Sequence, residues 1–314
     1  MEHLGLGWVL LAGTLAGTLA ASSTREQDLG PIREEAMDMA QNSFDDRYLG
    51  CRRKMEKKLK MVNRTEFENH TYAETWRKAN EKWRNSNHPQ LLRWQYAVAV
   101  LAYTYPTSLY RKFNAAVRKD GCSRGYYLEC FPFKTLHFLL TEALHTLRKA
   151  QVRRCYNVYR GVRGILFTAQ INQTVRFGQF ASASLHKKAT RRFGQNTLFK
   201  VCTCHGVPIW NFSFYPEEKE VLIPPYEVFR VTNFTRERDR NIIHLRSHGV
   251  RSNYNCALLK GKGRQQGECS QEMAGDRAQP WAGAPRAPRA PPAMAAEERG
   301  PRATGSVRGR GALW

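Results

Sequence analysis

Phe214-Tyr215-Pro216-Glu217-Glu218-Lys219-Glu220-Val221-Leu222-Ile223-Pro224-Pro225 decides how the rest of this chain is read. An acidic cluster runs straight into an apolar, β-forming stretch. The whole 314-residue chain sets 50 Lys and Arg against 27 Asp and Glu, a formal charge of +23, so such a cluster stands out. If Lys219 already lies on the strand, Glu218 and Glu220 point to the same face, because strand side chains alternate with period two. Their Cα atoms would then be about 7 Å apart, from the rise per strand residue. Two carboxylates at that spacing suit chemistry at an anomeric carbon: one steadies an oxocarbenium-like centre and the other handles the incoming nucleophile. Read alone, the segment is more simply a solvated acidic turn ahead of a buried strand.

Outward from there, the strand-rich region extends back to Cys155. Short aromatic and β-branched runs punctuated by Gly, Pro and Asn predict strands at 155–159, 176–182, 198–204, 220–223, 227–232 and 241–245. The first half reads differently. Leu136, Leu139, Leu140, Ala143, Leu144 and Leu147 share one helical face, and Leu91, Leu92, Tyr96, Ala97, Val100 and Leu101 keep helical spacing. Helices are expected at 31–40, 48–61, 72–84, 89–103, 108–117 and 135–149. A helical half followed by a strand-rich half argues for an α+β fold over βαβ alternation. No Gly-x-Gly-x-x-Gly follows a predicted strand, which weakens a Rossmann reading.

The ends frame this domain. Leu4 to Ala20 is apolar or small throughout and runs into Leu19-Ala20-Ala21-Ser22, which suits a cleaved signal peptide over 1–21. The catalytic domain is then expected over 22–259. Residues 260–314 form a basic Pro/Ala/Gly/Arg-rich tail without the apolar pattern that would offset the entropy of ordering it. The tail lacks the hydrophobic stretch of a GPI signal, so the expected product is secreted, stored in granules or released directly, and not membrane-anchored. Export agrees with five Asn-x-Ser/Thr sequons, at Asn63, Asn69, Asn172, Asn211 and Asn233. It also agrees with eight cysteines, which read first as disulfides. Cys202-Thr203-Cys204-His205 lacks the second ligand pair of a zinc finger, so no metal is expected. The charge favours anionic partners or surfaces in general, but no nucleic-acid-binding signature accompanies it, and no sequence-specific nucleic acid is expected.

Two further segments could join the acids. Arg160, in Tyr159-Arg160-Gly161, can make bidentate bonds to a phosphate, and Gly161 lets backbone approach a ligand. An Arg snorkelling from a strand end beside a turn glycine explains the same residues. In Phe177-Gly178-Gln179-Phe180-Ala181-Ser182-Ala183-Ser184, Ser182 and Ser184 share one face of an extended segment, as ordinary strand hydroxyls also would.

In this order the three segments resemble the Arg, Ser-x-Ser and Glu-x-Glu elements of arginine-specific mono-ADP-ribosyltransferases, vertebrate ecto-enzymes above all. The likeness spans 27–259. It implies a helical N-terminal half packed on a two-sheet β core with the NAD cleft between the sheets. It also implies transfer of ADP-ribose from NAD, or NADP, to arginine-bearing protein targets with loss of nicotinamide. By the same resemblance Arg160 would hold an NAD phosphate and Gly161 would meet the nicotinamide amide. Phe177, Gln179 and Ser182 would line the NAD site, with Ser182 orienting Glu220. Glu220 would be the catalytic carboxylate; Glu218, helped by Tyr215, would bind the acceptor arginine. The family pattern pairs Cys51 with Cys256 and Cys155 with Cys204; Cys122 with Cys130 is one local option for a third pair, and the pairing of Cys122, Cys130, Cys202 and Cys269 stays open. Two features depart from it: Ala183 stands where many relatives carry Thr or Ser, and the tail is unlike a GPI-anchored one. An NAD glycohydrolase and a non-catalytic cationic host-defence protein are the alternatives.

Overall fold

The computed structural model describes residues 32–87 and 91–259. The expected signal peptide, the tail and Cys269 therefore lie outside the described residues. Six helices come first, after one short strand: β1 Arg33–Ala36, α1 Arg52–Glu66, α2 His70–Arg84, α3 Trp94–Thr104, α4 Leu109–Lys119, α5 Arg124–Cys130 and α6 Lys134–Ala150. Strands dominate the rest: β2 Tyr156–Val162, β3 Ile165–Thr168, β4 Thr174–Val175, β5 Ala181–Ser184, then α7 Thr190–Phe193, β6 Thr197–Thr203, β7 Val207–Pro208, β8 Glu220–Ile223, β9 Glu227–Glu237 and β10 Arg240–Val250. The class is α+β, as the sequence predicts.

Helix α3 is the centre of the helical layer. Its residues from Tyr96 through Tyr103 are all buried, the mark of a helix covered on every side. Pro106 stops it: Tyr105, the residue before the proline, adopts ψ 139°, outside the helical region. Helix α6 packs alongside, and its N-terminus is capped from a distance. The Glu66 carboxylate accepts the Lys134 and Thr135 amides, the latter at 2.9 Å, which satisfies orphan donors of the first turn. Burial pushes the Glu66 carboxyl up to about 7 against those bonds.

Eight strands run in the order β4-β9-β10-β6-β2-β5-β8-β7. The halves β4-β9-β10-β6-β2 and β5-β8-β7 are joined through a single pair, Tyr159 with Ser184. Strand β8 is buried along its length and divides its side chains by alternation. Leu222 joins the core of the helical layer, while Val221 and Ile223 join Val158, Phe199, Val201 and Ile243 in a second core. By the same alternation Glu220 shares the Leu222 face.

Several expectations are corrected. The segment expected as a helix at 31–40 instead forms β1, paired in parallel with β3. Its Arg-Glu-Glu-Ala composition favours a helix, but pairing to a free strand edge overrides propensity. The strand expected over 176–182 begins only at Ala181, because Gly178 has φ +63° and breaks the extension. Strands β9 and β10 run well past the expected ends, with bulges between His244 and Leu245 and between Ser247 and Gly249. Helix α5 and strand β3 have no counterpart among the expected elements.

Disulfides Cys51–Cys256 and Cys155–Cys204 are formed. The local pair Cys122 with Cys130 is not: Cys122 is disulfide-bonded, whereas Cys130 is a free, exposed thiol. Helix α5 stands between them, and its rise of 1.5 Å per residue separates the two by about 10 Å, beyond disulfide reach. Among the sequons, Asn69, Asn172, Asn211 and Asn233 are exposed. Asn63 is half-buried on α1, with its Oδ1 enclosed.

Candidate active site

The chain bends sharply at the acidic segment. Pro216–Glu218 form one turn of 3-10 helix, and Lys219 adopts the left-handed conformation at φ 47° before β8 begins at Glu220. Glu218 and Glu220 are therefore not successive same-face residues of one strand. A reversal at Lys219 sets them apart: Glu220 is fixed and 7% exposed at the end of β8, and Glu218 is half-buried on the loop.

Strand β5 supplies the hydroxyls. It is antiparallel to β8, with Ser184 opposite Glu220 and Ser182 opposite Leu222, so both serines share the Glu220 face. Their work differs. Ser184 Oγ donates to the Glu218 carbonyl at 2.6 Å and accepts from the His186 amide at 2.9 Å, which pins the acidic loop. The Ser182 side chain lies beside Glu220, and Arg160 Nη1 donates to the Ser182 carbonyl at 2.7 Å. Burial pushes the Glu220 carboxyl up to about 7; the Ser182 hydroxyl opposes this, the Glu218 charge adds to it, and Arg160 opposes it. Burial, then Glu217, also raise Glu218, against Arg192. The Arg192 guanidinium stands 3.7 Å from Glu218.

Phe177-Gly178-Gln179-Phe180 is anchored from the other side. Ser43 Oγ donates to the Gly178 carbonyl at 2.8 Å. A side chain at position 178 would meet Ala40 Cβ at 2.4 Å, so the loop closes only over glycine. Phe177 packs against Phe199 and Phe229. Gln179 accepts from Arg118 on α4, and Arg118 is close enough to Arg160 for their charges to repel. Gly161 is required by the protein's own backbone: a Cβ there would meet the Gly194 and Thr190 carbonyls at 2.4 and 2.6 Å.

Tyr215 is half-buried on the acidic loop, its amide bonded to Ser213 Oγ at 3.0 Å. Burial, then Glu218 and Glu217, raise its phenol above the usual range. Cys204 is committed to its disulfide, so Cys202-Thr203-Cys204-His205 cannot serve as a two-thiol metal site.

Two residues of this site were not singled out in the sequence. Arg118 is one. The other is Tyr103 on α3, whose hydroxyl donates to the Phe180 carbonyl at 3.1 Å, accepts from Asn114 Nδ2 at 3.0 Å and lies 3.4 Å from Ser182 Oγ. The signal for Tyr103 was present only as a polar-tipped aromatic in a continuously apolar helix, since a buried Tyr usually finds a partner.

A family model for NAD:arginine ADP-ribosyltransferases matches residues 37–253. The chain belongs to this family. It is 55% identical over 279 residues to NAD(P)(+)--arginine ADP-ribosyltransferase 2 of Gallus gallus, covering 87% of this chain and 89% of that relative. It is 45% identical over 256 residues to GPI-linked NAD(P)(+)--arginine ADP-ribosyltransferase 1 of Homo sapiens, covering 76% and 78%. Among solved structures, a variant of the eukaryotic mono-ADP-ribosyltransferase ART2.2 in complex with NADH matches with a TM-score of 0.61 and 35% identity, over 70% of this chain and 98% of that one. The span matched by the ADP-ribosyltransferase family model takes in Arg160, Ser182, Glu218 and Glu220.

Proposed function

We propose that this protein transfers ADP-ribose from NAD(P)+ to arginine side chains, and that Glu220 and Glu218 divide the work. The carrying observation is the turn at Lys219, which puts one carboxylate on a buried strand end and the other on an adjoining loop. The bond from the nicotinamide nitrogen to the ribose anomeric carbon breaks, and its electron pair leaves with nicotinamide. Glu220, ionised and steadied by Ser182, stabilises the positive charge that develops on the sugar. A guanidinium nitrogen then forms the new bond to carbon, and its proton passes to Glu218. Removing that proton needs a committed base, because free guanidinium stays protonated.

Arg160 and Arg118 supply positive charge for the dinucleotide phosphates, with Phe177, Gln179 and Gly161 along the same wall. Tyr215 presents an aromatic edge beside Glu218 to the acceptor. Two disulfides agree with an oxidising compartment, and we read the protein as secreted, with glycans at the exposed sequons.

Incubation with labelled NAD and agmatine tests the reading by following ADP-ribosylagmatine and free ADP-ribose together. The adduct is the expected product, and nicotinamide release without any adduct would overturn arginine transfer. Glycohydrolysis is the second reading. It is favoured by Arg192, whose guanidinium 3.7 Å from Glu218 competes with an arriving arginine, with water as the other acceptor.

A further inference from the structure

A hollow of about 280 Å³ lies beside the acidic loop, lined by Lys78, Glu81 and Lys82 of α2, Asn85 just after it, Tyr105 at the end of α3, and Phe214. Its wall on the loop side is held in place. Phe214 meets Tyr105 edge-on with centroids 4.8 Å apart, and its amide donates to Thr104 Oγ1 at 3.2 Å. The Lys82 ammonium stands 4.2 Å from the Phe214 ring centre.

The charges around the hollow are unevenly matched. Glu81 is shared between Arg77 at 3.4 Å and Lys78 at 3.6 Å, and Arg77 also pairs with Glu74 at 2.7 Å. Among the described residues no carboxylate forms an ion pair with Lys82. A half-buried cation over an aromatic face, without an anion, has its open side available to a carboxylate from outside.

The hollow is also within reach of the reacting arginine. Phe214 and Glu218 are four residues apart, so their Cα atoms are at most about 14 Å from each other. An extended peptide covers that span in about four residues. We propose that the Lys82 hollow is a docking subsite for an acidic side chain of the protein acceptor, three or four residues from the target arginine. The proposal rests on the transferase reading above and adds a substrate class to it: arginines with an acidic neighbour at that spacing. The overall charge of +23 steers acidic proteins in without fixing their register. Lys82 supplies the register.

The test uses the full chain, NAD, and peptides with one arginine and either Glu or Gln at the third and fourth positions on either side. Agmatine, too short to reach the hollow, normalises each variant for any disturbance of Phe214. The parent should prefer the Glu peptide about twofold to fivefold in kcat/KM, the range of an exposed ion pair. Lys82→Gln should bring that ratio to unity, Lys82→Glu should invert it, and Lys82→Arg should keep it. An equal preference for Glu placed eight residues away would overturn the subsite, since that is steering alone. So would a ratio that ignores Lys82→Glu. A parent active on agmatine but indifferent to Glu overturns the subsite by itself. A parent inactive on agmatine brings down the transferase reading, and the subsite with it.

Discussion

The acids at 45–46 and those at 218 and 220 belong to one fold under opposite conditions. Asp45 and Asp46 are fully buried, and all four oxygens meet donors. Asp45 accepts from Arg176 Nη1 at 2.5 Å and from the Asn253 and Tyr254 amides at 2.8 and 3.1 Å. Asp46 accepts from the Tyr48, Cys256 and Ala257 amides at 2.8, 2.8 and 2.7 Å. Together with Cys51–Cys256 they lock the segment before α1 to the segment after β10. Glu220, nearly as buried, has the Ser182 hydroxyl beside it, and Glu218 has a guanidinium at 3.7 Å. Burial raises all four carboxyls, but in the first pair a full set of donors opposes it. An acid saturated with donors is scaffold; an acid left short of them is available to a substrate.

Breaking the saturated pair should have the largest effect on the fold. Asp45→Ala leaves the Arg176 guanidinium, 1% exposed, without its counter-ion. The expected loss is about 3–5 kcal/mol, as for a broken buried ion pair, read by urea unfolding. Arg176 directly precedes the Phe177–Phe180 loop, so turnover should fall along with stability.

Breaking the unsaturated pair should leave the fold and remove the chemistry. Glu220→Gln should lower both nicotinamide release and transfer on the order of 10²- to 10³-fold, the scale of a lost transition-state charge contact. Glu218→Gln should lower agmatine modification by about 10- to 100-fold, as for a lost hydrogen bond to a charged group, with nicotinamide release largely kept. A parallel fall of both products would assign Glu218 to the sugar and not to the acceptor.

The smallest effect comes from the hydroxyl behind Ser182. Tyr103→Phe removes the hydroxyl behind Ser182 and should lower kcat about fivefold, the scale of one neutral hydrogen bond. The Ser182 hydroxyl holds Glu220 below what burial alone would give. Loosening it should move the rising limb of kcat/KM for NAD to a pH above the parent's midpoint near 7. A merely structural role for Tyr103 would lower activity without moving that limb.

The fold class and most elements were legible because periodicity carries them: α6 and β8 fall where their apolar patterns stand. The β1 strand was not, since its pairing with β3 is a tertiary event and its composition is helical. The candidate site was legible as three motifs in order. Its geometry was not, because the left-handed Lys219 that separates the two acids leaves no mark in composition, and Asn, Asp or Gly would have been the expected residue there. Gly161 was read for a ligand, yet the closest approach to it is made by Thr190 and Gly194 of the chain itself. Asp45, Asp46 and Arg176 were silent for a similar reason: the contacts that lock them, Arg176 to Asp45 and the Asn253 and Ala257 amides to Asp45 and Asp46, join residues more than 130 positions apart.

Glu220 serves chemistry at the expense of the fold, and the melting temperature of Glu220→Gln across pH reads this out. In the folded protein its carboxyl titrates at about 7, above the ordinary 4.5. Its ionised form therefore weakens folding, by nothing below the ordinary value and by most above about 7. The variant should melt with the parent near pH 4.5 and roughly 5 °C above it at pH 8, while turnover is lost. A variant that melts below the parent at pH 8 would instead make Glu220 a scaffold acid like Asp45.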